Sequence, residues 1–231
     1  MEHKIVGSTM PVLEIQLAQG DAIVAESGQL SWISSTIEMK TAASGGGHGL
    51  LGALGRAASG GTLFLTEYTA HGGPGIVAFA ARVPGHIVAQ QVGRGQELMV
   101  HRHGYLASEP GVSASIAFQK SLGGGIFGGE GFILQKLAGQ GTAWVELSGE
   151  VVTYDLGPGE TLRVHPGHVG MFQESVSFDI VTIKGIRNRL FGGDGMFLVQ
   201  LKGPGRVWLQ SMPLPTLAHA LEPYLPQPNR S

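Results

Sequence analysis

The sequence contains Phe127-Gly-Gly-Glu-Gly-Phe-Ile-Leu-Gln-Lys-Leu-Ala-Gly-Gln-Gly-Thr-Ala-Trp144 and, 64 positions later, Phe191-Gly-Gly-Asp-Gly-Met-Phe-Leu-Val-Gln-Leu-Lys-Gly-Pro-Gly-Arg-Val-Trp208. Without a gap, 9 of the 18 aligned positions are identical. Self-similarity at a fixed offset is the signature of an internal repeat. The architecture of the chain is therefore predicted to be built from repeated units.

Further repeats extend this pattern along the chain. Gly20 and Gly28 lie 139 positions before Gly159 and Gly167, each in a strand, turn, strand context. Units are predicted to begin near residues 13, 88 and 152, which gives repeats of approximately 1–85, 86–150 and 151–212 within a single compact domain, 1–231. The first unit has diverged, since it has Ala78 where the other two have tryptophan.

The periodicity between the glycines favours strands. Segments such as Leu13-Glu-Ile-Gln-Leu17 alternate apolar and polar residues, and turn signals recur every 8 to 12 residues, which is typical of β-sandwiches and barrels. We therefore predict an all-β fold of three pseudo-symmetric, sandwich-like repeats. A short helix and a tail are expected over 213–231, and one or two helical turns in the glycine-rich segment 41–60.

The composition sets limits on function. Charged residues make up 14% of the 231 residues, and 38 residues are glycine, against about 25% charged and about 7% glycine in ordinary domains. A chain of this length buries roughly 70% of its unfolded surface, so a sizeable core is available. Low charge leaves apolar surface for a partner, which favours an oligomer.

Several classes of function are disfavoured by what the sequence lacks. The net charge is −2 and Lys and Arg form no cluster, so no nucleic-acid partner is expected. Without cysteine there is no disulfide, thiolate metal site or cysteine nucleophile. The sequence has no signal-peptide pattern and no apolar run of 18 residues, which predicts a cytoplasmic protein. No cofactor is expected.

The Phe-Gly-Gly-acid-Gly element has a structural and a functional interpretation. Glu130 and Asp194 sit among glycines, where a carboxylate accepts backbone N–H bonds in a turn. The alternative is a carboxylate pair for acid–base or metal chemistry, which is less favoured because repeats reproduce structural needs. Phe127 and Phe191, if exposed, are candidates for contact with a partner.

The repeated tryptophans lie on the mixed face of their strands. Side chains two apart on a strand share a face, so Trp144 and Trp208 lie opposite an apolar face that includes Val145 and Leu209. An amphipathic ring on a mixed face suits an interface with a partner. A second covering layer within the chain is an equally good explanation.

Two histidine pairs raise a metal hypothesis. His101 and His103 would point the same way on a strand, and His165 and His168 flank a tight turn at an equivalent place in the next repeat. Convergence of these imidazoles would bind a divalent metal of the N/O type. No zinc signature is present, however.

Gly47-His-Gly-Leu-Leu-Gly52 matches the glycine pattern of dinucleotide-binding sites. Because it does not lie between a strand and a long helix of a βαβ unit, this match is interpreted as chance in a glycine-rich segment.

Together these residues resemble the altered-inheritance-of-mitochondria family, which is widespread in bacteria as a domain of unknown function. The resemblance covers nearly the whole chain. It is carried by the early strand-turn-strand ending at Trp32, Gly60 to Leu65, Gly128-Gly-Glu-Gly-Phe132, Leu156 to Phe172, Phe191-Gly-Gly-Asp-Gly195 and Gly203-Pro-Gly-Arg-Val-Trp208.

The resemblance implies a fold similar to the tryptophan RNA-binding attenuator protein, of the double-stranded β-helix type, with three copies about a pseudo-threefold axis. It implies no catalytic residues, and eukaryotic relatives are associated with mitochondrial inner-membrane organisation. The attenuator's tryptophan and RNA sites cannot be matched to residues of this chain. Fold-level likeness alone carries little functional weight.

The sequence therefore favours a non-enzymatic binding or scaffolding protein. We expect it to self-associate, with a homotrimer as the favoured order of assembly, and to contact an unidentified protein or a membrane surface. The alternative is a metal-dependent hydrolase or cupin-like enzyme that uses His101, His103, His165 and His168.

Overall fold

The computed structural model describes residues 1–43, 63–120, 131–183 and 196–225. The predicted helical turns in 41–60 and the glycine pattern at 47–52 lie largely or wholly outside these ranges. Phe127, Glu130, Phe191 and Asp194 also lie outside the described residues. In the sequence, Phe127 and Glu130 fall between the fourth and fifth strands of the second strand set defined below. Phe191 and Asp194 fall between the fourth and fifth strands of the third set.

The described residues form strands and one short α-helix, so the all-β prediction is confirmed. An N-terminal strand, β1 (Glu2–Val6), precedes three sets of six strands. The first set is β2 (Val12–Leu17), β3 (Ala22–Glu26), β4 (Trp32–Ile33), β5 (Ile37–Ala43), β6 (Phe64–Ala70) and β7 (Gly75–Ala80). The second set is β8 (Gly85–Val92), β9 (Leu98–His101), β10 (Tyr105–Ser108), β11 (Val112–Lys120), β12 (Phe132–Gly139) and β13 (Gly141–Ser148).

The third set and the helix complete the chain. The strands are β14 (Val151–Leu156), β15 (Thr161–Val164), β16 (Val169–Gln173), β17 (Ser177–Ile183), β18 (Met196–Lys202) and β19 (Gly205–Gln210). A 3₁₀ turn, Pro166–His168, joins β15 to β16. The predicted C-terminal helix is present as α1 (Leu214–Leu221) and is followed by a 3₁₀ turn, Glu222–Tyr224.

The strands form four antiparallel sheets. Sheet 1 has the order β1-β2-β7-β4, sheet 2 β5-β6-β3-β10-β13-β8, sheet 3 β11-β12-β9-β16-β19-β14 and sheet 4 β15-β18-β17. In each set the sixth strand pairs with the first and third, and the fifth pairs with the second and fourth. The exact repeat boundaries, the single-domain assignment and the pseudo-threefold axis remain predictions.

Successive sets are joined by one further pairing each. The second strand of one set pairs with the third strand of the next, as β3 with β10 and β9 with β16. Sheets 2 and 3 therefore each contain three strands from one set and three from the next. The chain is a series of sets linked by backbone hydrogen bonds, and each link crosses from one set into its successor.

Three apolar clusters lie between successive sheets. The first joins Leu13 and Phe79 of sheet 1 to Trp144 of sheet 2, the second joins Val145 of sheet 2 to Val100 of sheet 3, and the third joins sheet 3 to sheet 4. Because strand residues alternate between faces, Trp144 and its neighbour Val145 enter different clusters. Sheets 2 and 3 are covered on both faces, as their near-continuous buried strands show.

Three glycines show what the turns and the sheet packing require. Gly20 has a φ of 89° and Gly159 a φ of 83°, so both turns use the left-handed region that favours glycine. Gly170 is needed for a different reason, because a Cβ there would lie 2.8 Å from Cδ2 of Leu147 and 2.9 Å from the carbonyl oxygen of Trp208. Sheets 2 and 3 approach closely at this point.

Candidate functional site

The structure places His101 inside the fold. Its Nε2–H donates to the carbonyl oxygen of Glu146 at 3.2 Å, and burial lowers the pKa of His101 to about 4. His101 and His103 line a cavity of about 90 Å³ beside Pro166 and Leu214, far below the roughly 300–1,000 Å³ of typical ligand pockets. His101 is a neutral hydrogen-bond donor that links β9 to β13.

The second histidine pair lies at the turn before β16. The rings of His165 and His168 are 5.8 Å apart in an edge-on arrangement. Nδ1–H of His168 donates to the carbonyl oxygen of Gln210 at 2.8 Å, while burial lowers the pKa of His165. His168 uses its ring to tie the turn to β19.

The described histidines belong to no group of metal-ligating side chains. Across residues 1–43, 63–120, 131–183 and 196–225, no group of three or more His, Cys, Asp or Glu side chains could hold a metal ion. His101 and His168 each direct a ring nitrogen at a backbone carbonyl oxygen. The hydrolase or cupin-like alternative therefore has no support from the geometry.

The repeated tryptophans are covered within the chain. Trp144 is 1% exposed and Trp208 is 7% exposed. Trp144 packs in the cluster between sheets 1 and 2, where the imidazole of His3 lies edge-on at 5.2 Å. Trp208 packs in the cluster between sheets 2 and 3, with Leu147 and Met171 among its neighbours. A second covering layer explains the mixed face of both strands, and neither indole is available to a partner.

A buried carboxylate shares the face of Trp144. Glu146 is 3% exposed and accepts hydrogen bonds from the backbone N–H of Arg82 at 2.9 Å and from its Nε–H at 3.2 Å. A buried charge needs such a partner. This pair therefore completes a covered face that is apolar around the indole and polar at its rim.

Trp32 is the exposed counterpart of these buried side chains. It lies opposite Ala78 on β4 and β7, as Ala107 lies opposite Trp144 and Met171 is paired with Trp208. Trp32 is 47% exposed, whereas Ala107 and Met171 are both 0% exposed. Sequence reasoning missed Trp32, although the unusual Ala78 at the tryptophan position was a signal that the first set differs.

Trp32 belongs to an exposed apolar surface on sheet 1. We call the outer-face side chains Val6, Trp32, Ile76 and Ala78 the outer patch. Val6, Trp32 and Ile76 are exposed, while Ala78 is buried beside the indole. The same face carries an ion pair between Lys4 and Glu14 at 2.6 Å. Glu14 lies opposite Ala78, so the outer patch is apolar around Trp32 and borders this ion pair. It lies on the face of sheet 1 opposite the first cluster.

A second exposed apolar surface lies on the third set. We call the concavity at this surface the end groove; its volume is about 440 Å³. Its polar lining includes Arg163, His165 and His168, and its apolar lining is formed by Val152, Tyr154, Leu162, Val164 and Leu209. Val152 and Tyr154 are exposed, and Leu162 and Leu209 are half-buried at the edge of the third cluster. The end groove opens beside β15, an edge strand of sheet 4.

A polar cleft of about 410 Å³ separates parts of sheets 2 and 3. Its lining includes Glu26, Arg102 and Gln135. Burial raises the pKa of Glu26, and the side-chain oxygen of Gln135 is buried with no hydrogen-bond partner among the described residues. The cleft therefore combines a carboxyl whose pKa is raised by burial with an amide and a guanidinium, all of them hydrogen-bonding groups.

These features define an all-β protein of stacked antiparallel sheets that exposes apolar side chains on its first and third strand sets. The chain belongs to the AIM24 family, since the family model described as "Mitochondrial biogenesis AIM24" matches residues 3–212. The family resemblance predicted from the sequence is confirmed.

Relatives of known sequence and structure agree with this assignment. An uncharacterised protein of Streptococcus pyogenes serotype M6 is 28% identical over 223 residues, which cover 94% of this chain and 87% of the relative. The crystal structure of a Streptococcus pyogenes protein is similar with a TM-score of 0.76 at 25% identity, covering 97% of this chain and 99% of that chain. Among the described residues, no helix is long and apolar enough to cross a membrane.

Proposed function

We propose that this protein is a non-enzymatic binding or scaffolding protein that self-associates in the cytoplasm, with a homotrimer as the order of assembly. The observation that carries the proposal is the position of the outer patch and the end groove on the first and third strand sets. Exposed apolar patches on a soluble domain mark contact sites. Only 14% of the residues are charged, so few charged side chains would oppose contact between such surfaces.

Three further observations support this proposal. His101 and His168 each hydrogen-bond to a backbone carbonyl oxygen, and the described residues include no group of three or more His, Cys, Asp or Glu that could hold a metal ion. The edge strands β4 and β15 leave backbone N–H and C=O groups open beside the apolar surfaces, and open strand edges favour pairing with another chain. The absence of cysteine agrees with a reducing compartment.

Native mass spectrometry and light scattering at micromolar concentration test the proposal. One chain has a mass of 24.1 kDa, so a trimer would have three times that mass. We expect a mass at this multiple that falls towards 24.1 kDa on dilution. A strict monomer at every concentration would contradict self-association.

A further inference from the structure

The links between successive strand sets supply a template for a contact between copies. In the first link, Ala107 on β10 lies opposite Ala25 on β3; in the second, Met171 on β16 lies opposite Val100 on β9. Each link joins a third strand to the second strand of the preceding set. The first link has only two residue pairs in register, so a short strand suffices for it.

The two ends of the series lack this partner. β4 is the third strand of the first set, and among the described residues no second strand of another set pairs with it. β15 is the second strand of the third set, and no third strand of another set pairs with it in the same ranges. Within the described ranges, β4 and β15 are edge strands of sheets 1 and 4 and do not pair with each other. β4 and β15 are paired on one side only, with β7 and β18, and their other edges are of complementary type.

The side chains beside β4 and β15 are also complementary: those beside β4 have nothing to cover, and those beside β15 lack a cover. At each internal link, the outer face of one set covers the cluster of the set before it, as Trp208 and Met171 do for Val145. The position of Val145 is occupied in the third set by Leu209, which is only half-buried. The covering position of Met171 is occupied in the first set by Trp32, which covers nothing in the described chain.

The first-strand partners show the same difference. Val152 lies opposite Leu209, as Leu13 lies opposite Phe79. Val152 is 47% exposed, whereas Leu13 is 0% exposed under the covering face of the second set. The third set therefore exposes apolar side chains at the positions that are buried in the first.

We propose that the outer patch of one copy docks into the end groove of a second copy, with β4 pairing antiparallel to β15. By equivalence with the internal links, Trp32 lies opposite Val164, Ile33 opposite Arg163 and Ser34 opposite Leu162. This inference rests on the proposed self-association and assigns its interface. The contact is head-to-tail, so it closes into a ring or extends as a filament rather than forming a two-fold dimer.

Cysteine cross-linking between two single variants tests the register. The chain has no cysteine, so Ser34→Cys and Leu162→Cys proteins can be mixed and oxidised without background. Opposite residues of an antiparallel pair have Cα atoms about 4.5–5.5 Å apart, within disulfide reach. We expect a disulfide-linked heterodimer in the mixture and little product from either variant alone.

Shifted and like-with-like pairs provide the controls. Ser35→Cys mixed with Leu162→Cys places the thiols one residue out of register and on opposite faces, and should give at least tenfold less product. A strong dimer from Ser34→Cys alone would indicate a two-fold contact and overturn the proposal. Equal yields from the matched and shifted mixtures would also overturn it.

A surface variant separates this interface from self-association in general. Trp32→Asp puts a charge in the outer patch and should weaken association at least tenfold, with unchanged circular dichroism because the side chain is exposed. Tyr224→Asp, at a residue 84% exposed beyond α1, is the matched control and should assemble like the wild type.

The outcomes are distinguishable. If the wild-type protein is a monomer at all concentrations, the proposed function fails together with this interface. If the wild type assembles and Trp32→Asp assembles equally well without a Ser34 to Leu162 cross-link, only the head-to-tail interface is refuted.

Discussion

The outer faces of the first and second strand sets carry the same two side chains in exchanged positions. On sheet 1, Trp32 lies on the third strand and Ala78 on the sixth; on sheet 2, Ala107 lies on the third strand and Trp144 on the sixth. Trp144 is buried beneath sheet 1, but Trp32 is about half exposed. Both faces carry one tryptophan and one alanine, so the difference in burial arises from whether another sheet covers the face.

Each outer face depends on the preceding sheet for its cover. Sheet 1 covers the outer face of the second set, and sheet 2 covers that of the third set. The first set has no preceding sheet in the described chain. An apolar face without an internal cover supports the proposed contact between copies.

The largest expected effect comes from truncating the two tryptophans. Trp144→Ala removes a fully buried indole, and such changes cost about 3–5 kcal/mol in the free energy of unfolding. Trp32→Ala should cost less than about 1 kcal/mol in a monomer, since surface substitutions are usually small. Urea denaturation of both variants at a concentration where the protein is monomeric measures the difference. Equal losses would show that the two faces are equally covered.

Breaking an ion pair should likewise cost more stability on the covered face than on the open face. Arg82→Ala removes the guanidinium from the buried Glu146 carboxylate but keeps the backbone N–H bond of residue 82. Since the Arg82 side chain is 40% exposed, the loss in the free energy of unfolding should be about 2–3 kcal/mol. Lys4→Ala breaks the exposed pair with Glu14 and should cost at most about 1 kcal/mol. Thermal unfolding of both variants at neutral pH is the measurement. A larger loss from Lys4→Ala would reverse the comparison.

A smaller effect on stability is expected from the titration of His101, whose ring bonds to the carbonyl oxygen of Glu146 on β13. Its pKa is about 4 in the folded protein and about 6.5 when unfolded, so the unfolded state binds more protons between these values. Stability should therefore fall as the pH drops from 6.5 to 4. The full pKa difference corresponds to about 3 kcal/mol, and partial solvent access reduces the expected loss to about 2 kcal/mol.

His101→Gln isolates this contribution. The amide retains a donor for the Glu146 carbonyl oxygen but does not titrate, so the variant should lose less stability than the wild type between pH 7 and pH 4.5. His219→Gln, at a side chain 87% exposed, is the control and should follow the wild type. Urea midpoints at the two pH values provide the test, and parallel curves for His101→Gln and wild type would refute the assignment.

Much of the fold could be predicted from local pattern. The 64-residue offset, the glycine turns at Gly20 and Gly159 and the alternation around Leu13 predicted strands, and the segment after Met212 predicted the helix. The phase argument placed Trp144 and Val145 on opposite faces, and the two side chains do enter different clusters. These features depend on residues close together in the chain or on repeated spacing.

The candidate site was predicted less well. The histidines were grouped because they recur in neighbouring repeats, yet His101 and His168 each bond to a different backbone carbonyl. The partner contact assigned to Phe127 and Phe191 stays a prediction, since both lie outside the described residues. Trp32 was overlooked because its own strand is only two residues long and carries little periodic signal.

The sequence by itself determined the β class, the repeated strand order, the glycine corners and membership of the family, because all of these are written in spacing and side-chain alternation. Only the tertiary structure decided which mixed face is covered and which is open. That outcome depends on the links from β3 to β10 and from β9 to β16, which join residues far apart in the chain. Local pattern does not specify such pairings, so the buried Trp144 and the exposed Trp32 look alike until the sheets are stacked.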